Sequence, residues 1–308
     1  MNNVDYDLII IGGGPAGLTA GLYASRARLK TLLIEKAVLG GQVITTDWVE
    51  NYPGFPEGIS GYDLGQKMSE QAQRFGLQIK NDTIETVTVD GDVKTVRLAG
   101  GDFSCQTIII ATGASPRKLG IPGERNFFGK GISTCATCDA PFYKDKVVAA
   151  IGGGDTAVKE SLYLTRFARK VYLIHRRDEL RATRILQERV FESDKVEMIW
   201  DTIAVRFAGL FGMDTVTLQN VKNGEERDLK VDGCFVWVGV EPNTAFLDGV
   251  VAVDEKGFII TNEKMETSVP GVYAVGDARN TSMRQIAAAV GDAAIAAGSV
   301  EAYLEHTG

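Results

Sequence analysis

Two cysteines with two residues between them, Cys135 and Cys138, are followed at once by a carboxylate, Asp139. Thiols at this spacing can close a small disulfide ring that opens and re-forms, and a neighbouring carboxylate can pass protons to or from a thiolate as it does so. A helical turn beginning here, capped by Ser133 or Thr134, would lower a thiol pKa and favour the reactive thiolate. A zinc site would need a second cysteine pair. Cys105 and Cys234 are single and lie in or beside apolar runs, so they read as buried small hydrophobes. With only two histidines in the chain, no His/Cys set has metal spacing, and no metal is expected.

A redox pair needs a source of electrons, and a glycine loop lies on each side of this one. Residues 6–11 read as a buried strand that runs straight into Gly12-Gly13-Gly14-Pro15-Ala16-Gly17. Helical spacing follows over 18–28, then a second apolar strand over 30–34, closed by Glu35. In this order Gly12 permits the sharp turn, Gly14 lets the backbone approach a pyrophosphate, and Gly17 lets helix and strand pack closely. The helix start offers free N–H groups to the phosphates. Glu35 can accept from both ribose hydroxyls and would repel a 2′-phosphate, so this loop suits FAD or NAD(H). A plain strand–helix turn is the competing interpretation.

The same unit recurs later. An apolar strand over 146–151 leads into Gly152-Gly153-Gly154-Asp155-Thr156-Ala157, then a helix to about 167 and a strand over 170–174. Glu35 lies 23 residues after Gly12, and His175 lies 23 residues after Gly152. Where the first copy has an acid, the second has His175-Arg176-Arg177, with Arg181 four residues on. Guanidinium groups there would bind a ribose 2′-phosphate through charge-assisted hydrogen bonds, which points to NADPH. Otherwise the arginines are a solvated basic face at a strand end.

Other stretches read as scaffold or as lining. Gly40, Gly41, Gln42, Thr45, Thr46, Glu50 and Asn51 form a polar loop, either surface or the wall of a large cofactor site. A helix is expected over 62–75 and alternating strands over 78–98. Residues 107–114 form a strand ending in the small-residue turn Ala111-Thr112-Gly113, and 271–278 a strand ending in Gly276-Asp277. Asp277 could equally be a helix cap. Arg284-Gln285 precedes an alanine-rich helix from Ile286 whose start could face a flavin ring. Pro- and Gly-containing stretches at 116–123 and 239–245 read as linkers.

The 308 residues suit two domains, and 44 % hydrophobic with 24 % charged residues is a normal globular composition. A net charge of -7 argues against general nucleic-acid binding. The N-terminal segment shows no basic leader, and its apolar run is too short for a signal peptide or membrane span, so a cytoplasmic protein is expected. In a reducing compartment a C-x-x-C pair points to catalysis or metal rather than to a structural staple.

Taken together, GGGPAG, the GGQ loop, ATGA, CATCD, GGGDTA, HRRDELR, VGDA and the RQ pair resemble, in order and over essentially the whole chain, the bacterial-type low-molecular-weight thioredoxin reductases. The resemblance implies an α/β fold of two Rossmann-like dinucleotide-binding domains. An FAD domain of residues 1–116 and 244–308 is interrupted by an NADPH domain of residues 117–243 that carries the disulfide. It implies FAD contacts at Gly12, Gly14, Pro15, Ala16, Gly17, Glu35, Lys36, Gly40, Gly41, Gln42, Thr46, Asn51, Ala111, Thr112, Gly113, Gly276, Asp277, Arg284, Gln285 and Ile286. NADPH contacts are implied at Gly152, Gly154, Asp155, Thr156, Ala157, His175, Arg176, Arg177 and Arg181.

By the same resemblance Cys138 faces the flavin, Cys135 attacks the substrate and Asp139 is the general acid and base. The partners it implies are thioredoxin and a second copy of the chain, with two domain orientations that alternate. A relative reducing ferredoxin or another small redox protein is the alternative, although ferredoxin-reducing relatives lack the cysteine pair. A nucleotide-binding regulator without turnover is a more distant one. Two features depart from the family pattern. Met283 stands where many relatives have tyrosine, and Phe142-Tyr143, flanked by Lys130 and Lys144, is either a docking pair for thioredoxin or part of the core.

Overall fold

The structure, a computed structural model, describes residues 4–46 and 48–307. Met1 to Asn3, on which the missing basic leader partly rests, lie outside the described residues. The chain divides into two units: the first runs up to Ser115 and resumes at Glu241, and the second is Pro116–Val240.

The first unit begins with β1 (Tyr6–Ile11), α1 (Pro15–Arg26) and β2 (Thr31–Glu35). α2 (Gly61–Arg74), β3 (Gln78–Asn81), β4 (Ile84–Asp90), β5 (Val93–Leu98), β6 (Gly101–Ile110) and β7 (Ala114–Pro116) follow. β1 pairs in parallel with β2 on one side and β6 on the other, and the sheet order is β3-β2-β1-β6-β5-β4. Both faces of such a strand are covered, which is why YDLIII is almost continuously apolar. The period of two still sorts its side chains: Leu8 and Ile10 join one core with α1, while Ile9 and Ile11 join a second core on the opposite face.

The second unit repeats the plan. Its elements are α3 (Glu124–Phe127), β8 (Ile132–Ser133), α4 (Ala136–Asp139), β9 (Val147–Gly152), α5 (Asp155–Leu164), β10 (Lys170–Ile174), α6 (Arg184–Phe191) and β11 (Val196–Ile199). Then come β12 (Thr202–Ala208), β13 (Thr215–Asn220), β14 (Glu226–Lys230), β15 (Gly233–Trp237) and, at the crossing back, β16 (Val240–Pro242), which pairs with β7. The parallel sheet is ordered β11-β10-β9-β15-β8. Ala149 and Ile151 of β9 face one core and Val148 and Ala150 the other. The antiparallel meander β12-β13-β14 covers the first of these with Ala204, Phe207, Val216 and Leu218.

The chain re-enters the first unit through β17 (Val272–Ala274), which pairs in parallel with the C-terminal half of β6, and ends in α7 (Ile286–Thr307). By length and composition alone, α7 is apolar enough over Ile286–His306 to cross a bilayer. It nevertheless buries Ala293, Ala296 and Val300 in the core that α1 also lines.

Two stretches expected as linkers have structure of their own. The Glu124 carboxylate is buried and accepts from the N–H groups of Leu119 at 2.8 Å and Gly120 at 2.7 Å, which fixes the turn after β7. Between 239 and 245, β16 forms, and the Asn243 side-chain amide donates to the Thr112 carbonyl at 2.9 Å.

Candidate active site

Each glycine loop is built as its strand and helix require. In the first, Gly12 has φ +107, and a Cβ there would lie 2.4 Å from the Ala111 carbonyl oxygen. A Cβ on Gly17 would lie 1.8 Å from the Gly12 oxygen, so only glycine lets α1 rest on β1. Gly14 differs from both. Its φ is ordinary, and a Cβ would meet only the Gly41 Cα at 3.9 Å, an ordinary contact. Pro15 occupies the first helical position, where no N–H is needed, and the amides beyond it point out of the helix start. The Glu35 carboxylate accepts from Gly13 N–H at 2.6 Å and Ala37 N–H at 2.8 Å, which holds it at the end of β2.

Around this loop the first unit gathers other expected residues. Gly40 and Gly41 have φ +103 and +58, and Gly41 packs on Gly14. The Gln42 side-chain amide donates to the Ala114 carbonyl, and Asn51 donates to Gln285 Oε1 at 3.0 Å. Gly276 N–H donates to Asp292 Oδ2 at 3.1 Å, and the same oxygen pairs with Arg279 Nη1 at 3.1 Å, both side chains being largely buried. Asp277 is not a helix cap, for its side chain caps nothing in the short 3₁₀ turn it occupies. Burial pushes its carboxyl up, against the pull of Arg284. The Arg284 guanidinium lies 4.1 Å over the Phe258 ring, and its buried Nε has no partner.

The second unit repeats this architecture with different chemistry. Gly152 has φ +154, and a Cβ there would collide with the Trp237 carbonyl at 2.4 Å and with Ala157 at 2.6 Å. Gly154 has nothing within 4 Å of its missing Cβ. The His175 ring lies against Gly153, much as the Glu35 side chain lies against Gly13. It is buried, and its Nε2 has no partner. Burial lowers its pKa, and the charges of Arg181, Arg176 and Arg177 lower it further. All three arginines are exposed. The loop that carries them is tied to the glycines: Arg181 N–H donates to the Gly153 carbonyl at 2.7 Å, and Thr183 N–H to Asp155 Oδ1 at 2.6 Å.

Cys135 and Cys138 form a disulfide. Ser133 and Thr134 do not cap α4, contrary to expectation. Cys135 itself is the cap, and its sulfur accepts from Cys138 N–H at 3.2 Å. Ser133 acts one step earlier, its hydroxyl accepting from Cys135 N–H at 3.0 Å. Cys138 is exposed and Cys135 half-buried.

Beneath the turn is an aromatic stack that the sequence did not announce. Trp237 Nε1 donates to the Thr134 carbonyl at 3.0 Å, Trp237 stacks on Phe235 at 5.6 Å, and Phe235 meets Tyr143 edge-on at 5.4 Å. Tyr143 is therefore a packing residue, with its hydroxyl pKa raised by burial and then by Asp139. Phe142, at 72 % exposure, alone keeps the surface role considered for the pair. Burial pushes the Cys105 thiol up to about 12 and also raises Cys234, so neither is a reactive thiol. Among the described residues no cluster of three or more His, Cys, Asp or Glu could hold a metal.

Comparison with known proteins adds four findings. The family model described as pyridine nucleotide-disulphide oxidoreductase matches residues 6–293. The chain is 46 % identical to thioredoxin reductase of Bacillus subtilis (strain 168) over 302 residues, 98 % of this chain and 95 % of that one. It is 43 % identical to thioredoxin reductase of Peptoclostridium acidaminophilum over 311 residues, 99 % and 98 % of the two chains. Among solved structures, Lactococcus lactis thioredoxin reductase in its FR conformation superposes with a TM-score of 0.96 at 42 % identity, covering 98 % of this chain and 100 % of that one.

Proposed function

The chain belongs to the pyridine nucleotide-disulphide oxidoreductase family, with thioredoxin reductases among its near relatives, and on that premise we propose that it reduces thioredoxin with electrons from NADPH, by way of FAD and Cys135–Cys138. One observation carries the proposal: a closed cysteine pair lies in the unit whose dinucleotide loop ends on exposed arginines, while the loop of the other unit ends on a glutamate.

The residues present fit both cofactors. The uncovered backbone at Gly14 and the start of α1 would hold the FAD pyrophosphate, with Glu35 at the adenosine ribose and Asp277 at the ribityl–phosphate region. Ile286 opens α7 beside Arg284, whose buried Nε lacks a partner and is a donor free for the flavin. Gly154 offers the second pyrophosphate the same uncovered backbone, and Arg176, Arg177 and Arg181 suit a 2′-phosphate. Bound in these cradles, the two cofactors would supply the electron pair that the disulfide takes up.

The remaining chemistry belongs to the chain. Uptake of two electrons breaks the Cys135–Cys138 bond, and Asp139 donates a proton to one of the departing sulfurs. Cys135, as thiolate, attacks a sulfur of the thioredoxin disulfide and forms a mixed disulfide. Cys138, its proton taken back by Asp139, then attacks the Cys135 sulfur and breaks its bond to thioredoxin, whose two thiolates take up one proton from Asp139 and one from solvent. The Cys135–Cys138 bond is restored and thioredoxin leaves as the dithiol. A homodimer in the cytoplasm is part of the same proposal and rests on the family resemblance.

The test is NADPH consumption by the purified, flavin-loaded protein with thioredoxin, with ferredoxin, and with NADH in place of NADPH. Turnover that requires both NADPH and thioredoxin is expected. NADPH consumption indifferent to thioredoxin would overturn the proposal.

A further inference from the structure

The arginine loop of the second unit carries its charges in an order that ought to be self-defeating. Arg176 and Arg177 are followed directly by Asp178 and Glu179, with Arg181 just beyond. A carboxylate in such a loop competes with a phosphate for the same guanidinium groups. Yet among the described residues no ion pair engages Arg176, Arg177 or Arg181.

Asp178 is paired from elsewhere. Lys222, in the turn between β13 and β14, places its Nζ 3.6 Å from Asp178 Oδ2 and 2.7 Å from Asp201 Oδ2. Backbone bonds fix both ends of this bridge. Asp201 N–H donates to the Arg177 carbonyl at 3.3 Å, and Thr202 N–H to the His175 carbonyl at 3.0 Å. Val221 N–H donates to the Asp201 carbonyl at 2.7 Å. Asn220 Oδ1 accepts from Lys222 N–H at 2.9 Å and Asn223 N–H at 3.2 Å, so the lysine leaves a side-chain-closed turn. The hydrogen bond to Asp201 also raises the Lys222 ammonium above the usual lysine range.

We infer that Lys222 is a positioning residue for NADPH: by holding the Asp178 carboxylate on the hairpin side of the loop, it leaves Arg176, Arg177 and Arg181 free for the 2′-phosphate. Lys222 itself touches no cofactor. Without it Asp178 turns to its neighbouring guanidinium groups, and a phosphate dianion meets one cation fewer and one anion more. The inference rests on assigning this loop to NADPH.

Steady-state kinetics of the flavin-loaded enzyme with thioredoxin, under NADPH and under NADH, test it. Lys222→Ala is expected to raise KM for NADPH by about two- to fivefold, the span of an exposed charge pair, with kcat and the KM for NADH unmoved. The rise shrinks at high salt. Lys222→Arg restores the wild-type value, and so does Asp178→Asn placed in the Lys222→Ala background. A merely structural lysine would raise KM for both nucleotides, and Asp178→Asn would not rescue it; either result, or no change at all, overturns the inference. Arg181→Ala is the control. If it leaves the preference for NADPH intact, the assignment of the loop itself falls, and the inference with it.

Discussion

Asp277 is an acid held where acids are costly. Burial raises its pKa, so the ionised form is penalised in the folded chain, and the stability it leaves intact in acid is eroded as pH rises above about 4. Asp277→Asn should therefore raise the midpoint of thermal unfolding of flavin-free protein at neutral pH, while weakening flavin retention. Loss of stability in that variant would remove the burial argument. His175 has the opposite sign: its pKa is lowered, so the unfolded chain binds the extra proton, and stability falls as pH drops below about 6.5. Urea unfolding of wild type and His175→Gln between about pH 7.5 and 5 should show this slope in the first and its reduction in the second. Equal slopes would contradict it. Both burdens sit at loops proposed to bind cofactors, and such sites commonly carry a local cost.

At the scale of elements, the two strand–loop–helix–strand repeats were legible, because an apolar run, a glycine turn and helical spacing are all local signals. The glycines separate fold from binding. Gly17→Ala should destabilise the first unit by about 1–3 kcal/mol or more, since its Cβ would lie 1.8 Å from the Gly12 oxygen. Gly14→Ala should leave stability nearly unchanged and impair flavin binding, because its Cβ would make only an ordinary contact with the Gly41 Cα at 3.9 Å. Denaturation and flavin content of the two variants check this, and equal loss of stability in both would refute it. The meander β12-β13-β14 is not legible in the sequence, because its edge strand β14 is polar and its order depends on pairing rather than on any local pattern. Likewise β17 joins β6 from far along the chain, a choice that local sequence does not encode. The stack of Trp237, Phe235 and Tyr143 under the cysteines is a third case, since a strand buried on both faces gives no sign of what stands above it.

At the scale of the whole molecule, one plan is used twice with opposite charge after the second strand of each copy, and the cysteine pair belongs to the copy that ends in arginine. That division separates two chemical events that a single assay merges: reduction of the flavin by nucleotide, and passage of electrons through the disulfide. The most direct measurement follows both in one protein. Cys135→Ser and Cys138→Ser, each loaded with flavin, are mixed with NADPH without oxygen while the flavin absorbance is followed, and thioredoxin reduction is then assayed. Full bleaching of the flavin with no thioredoxin reduction is the expected result. Thioredoxin reduction surviving in either variant, or flavin bleaching lost together with it, would contradict a relay through Cys135 and Cys138.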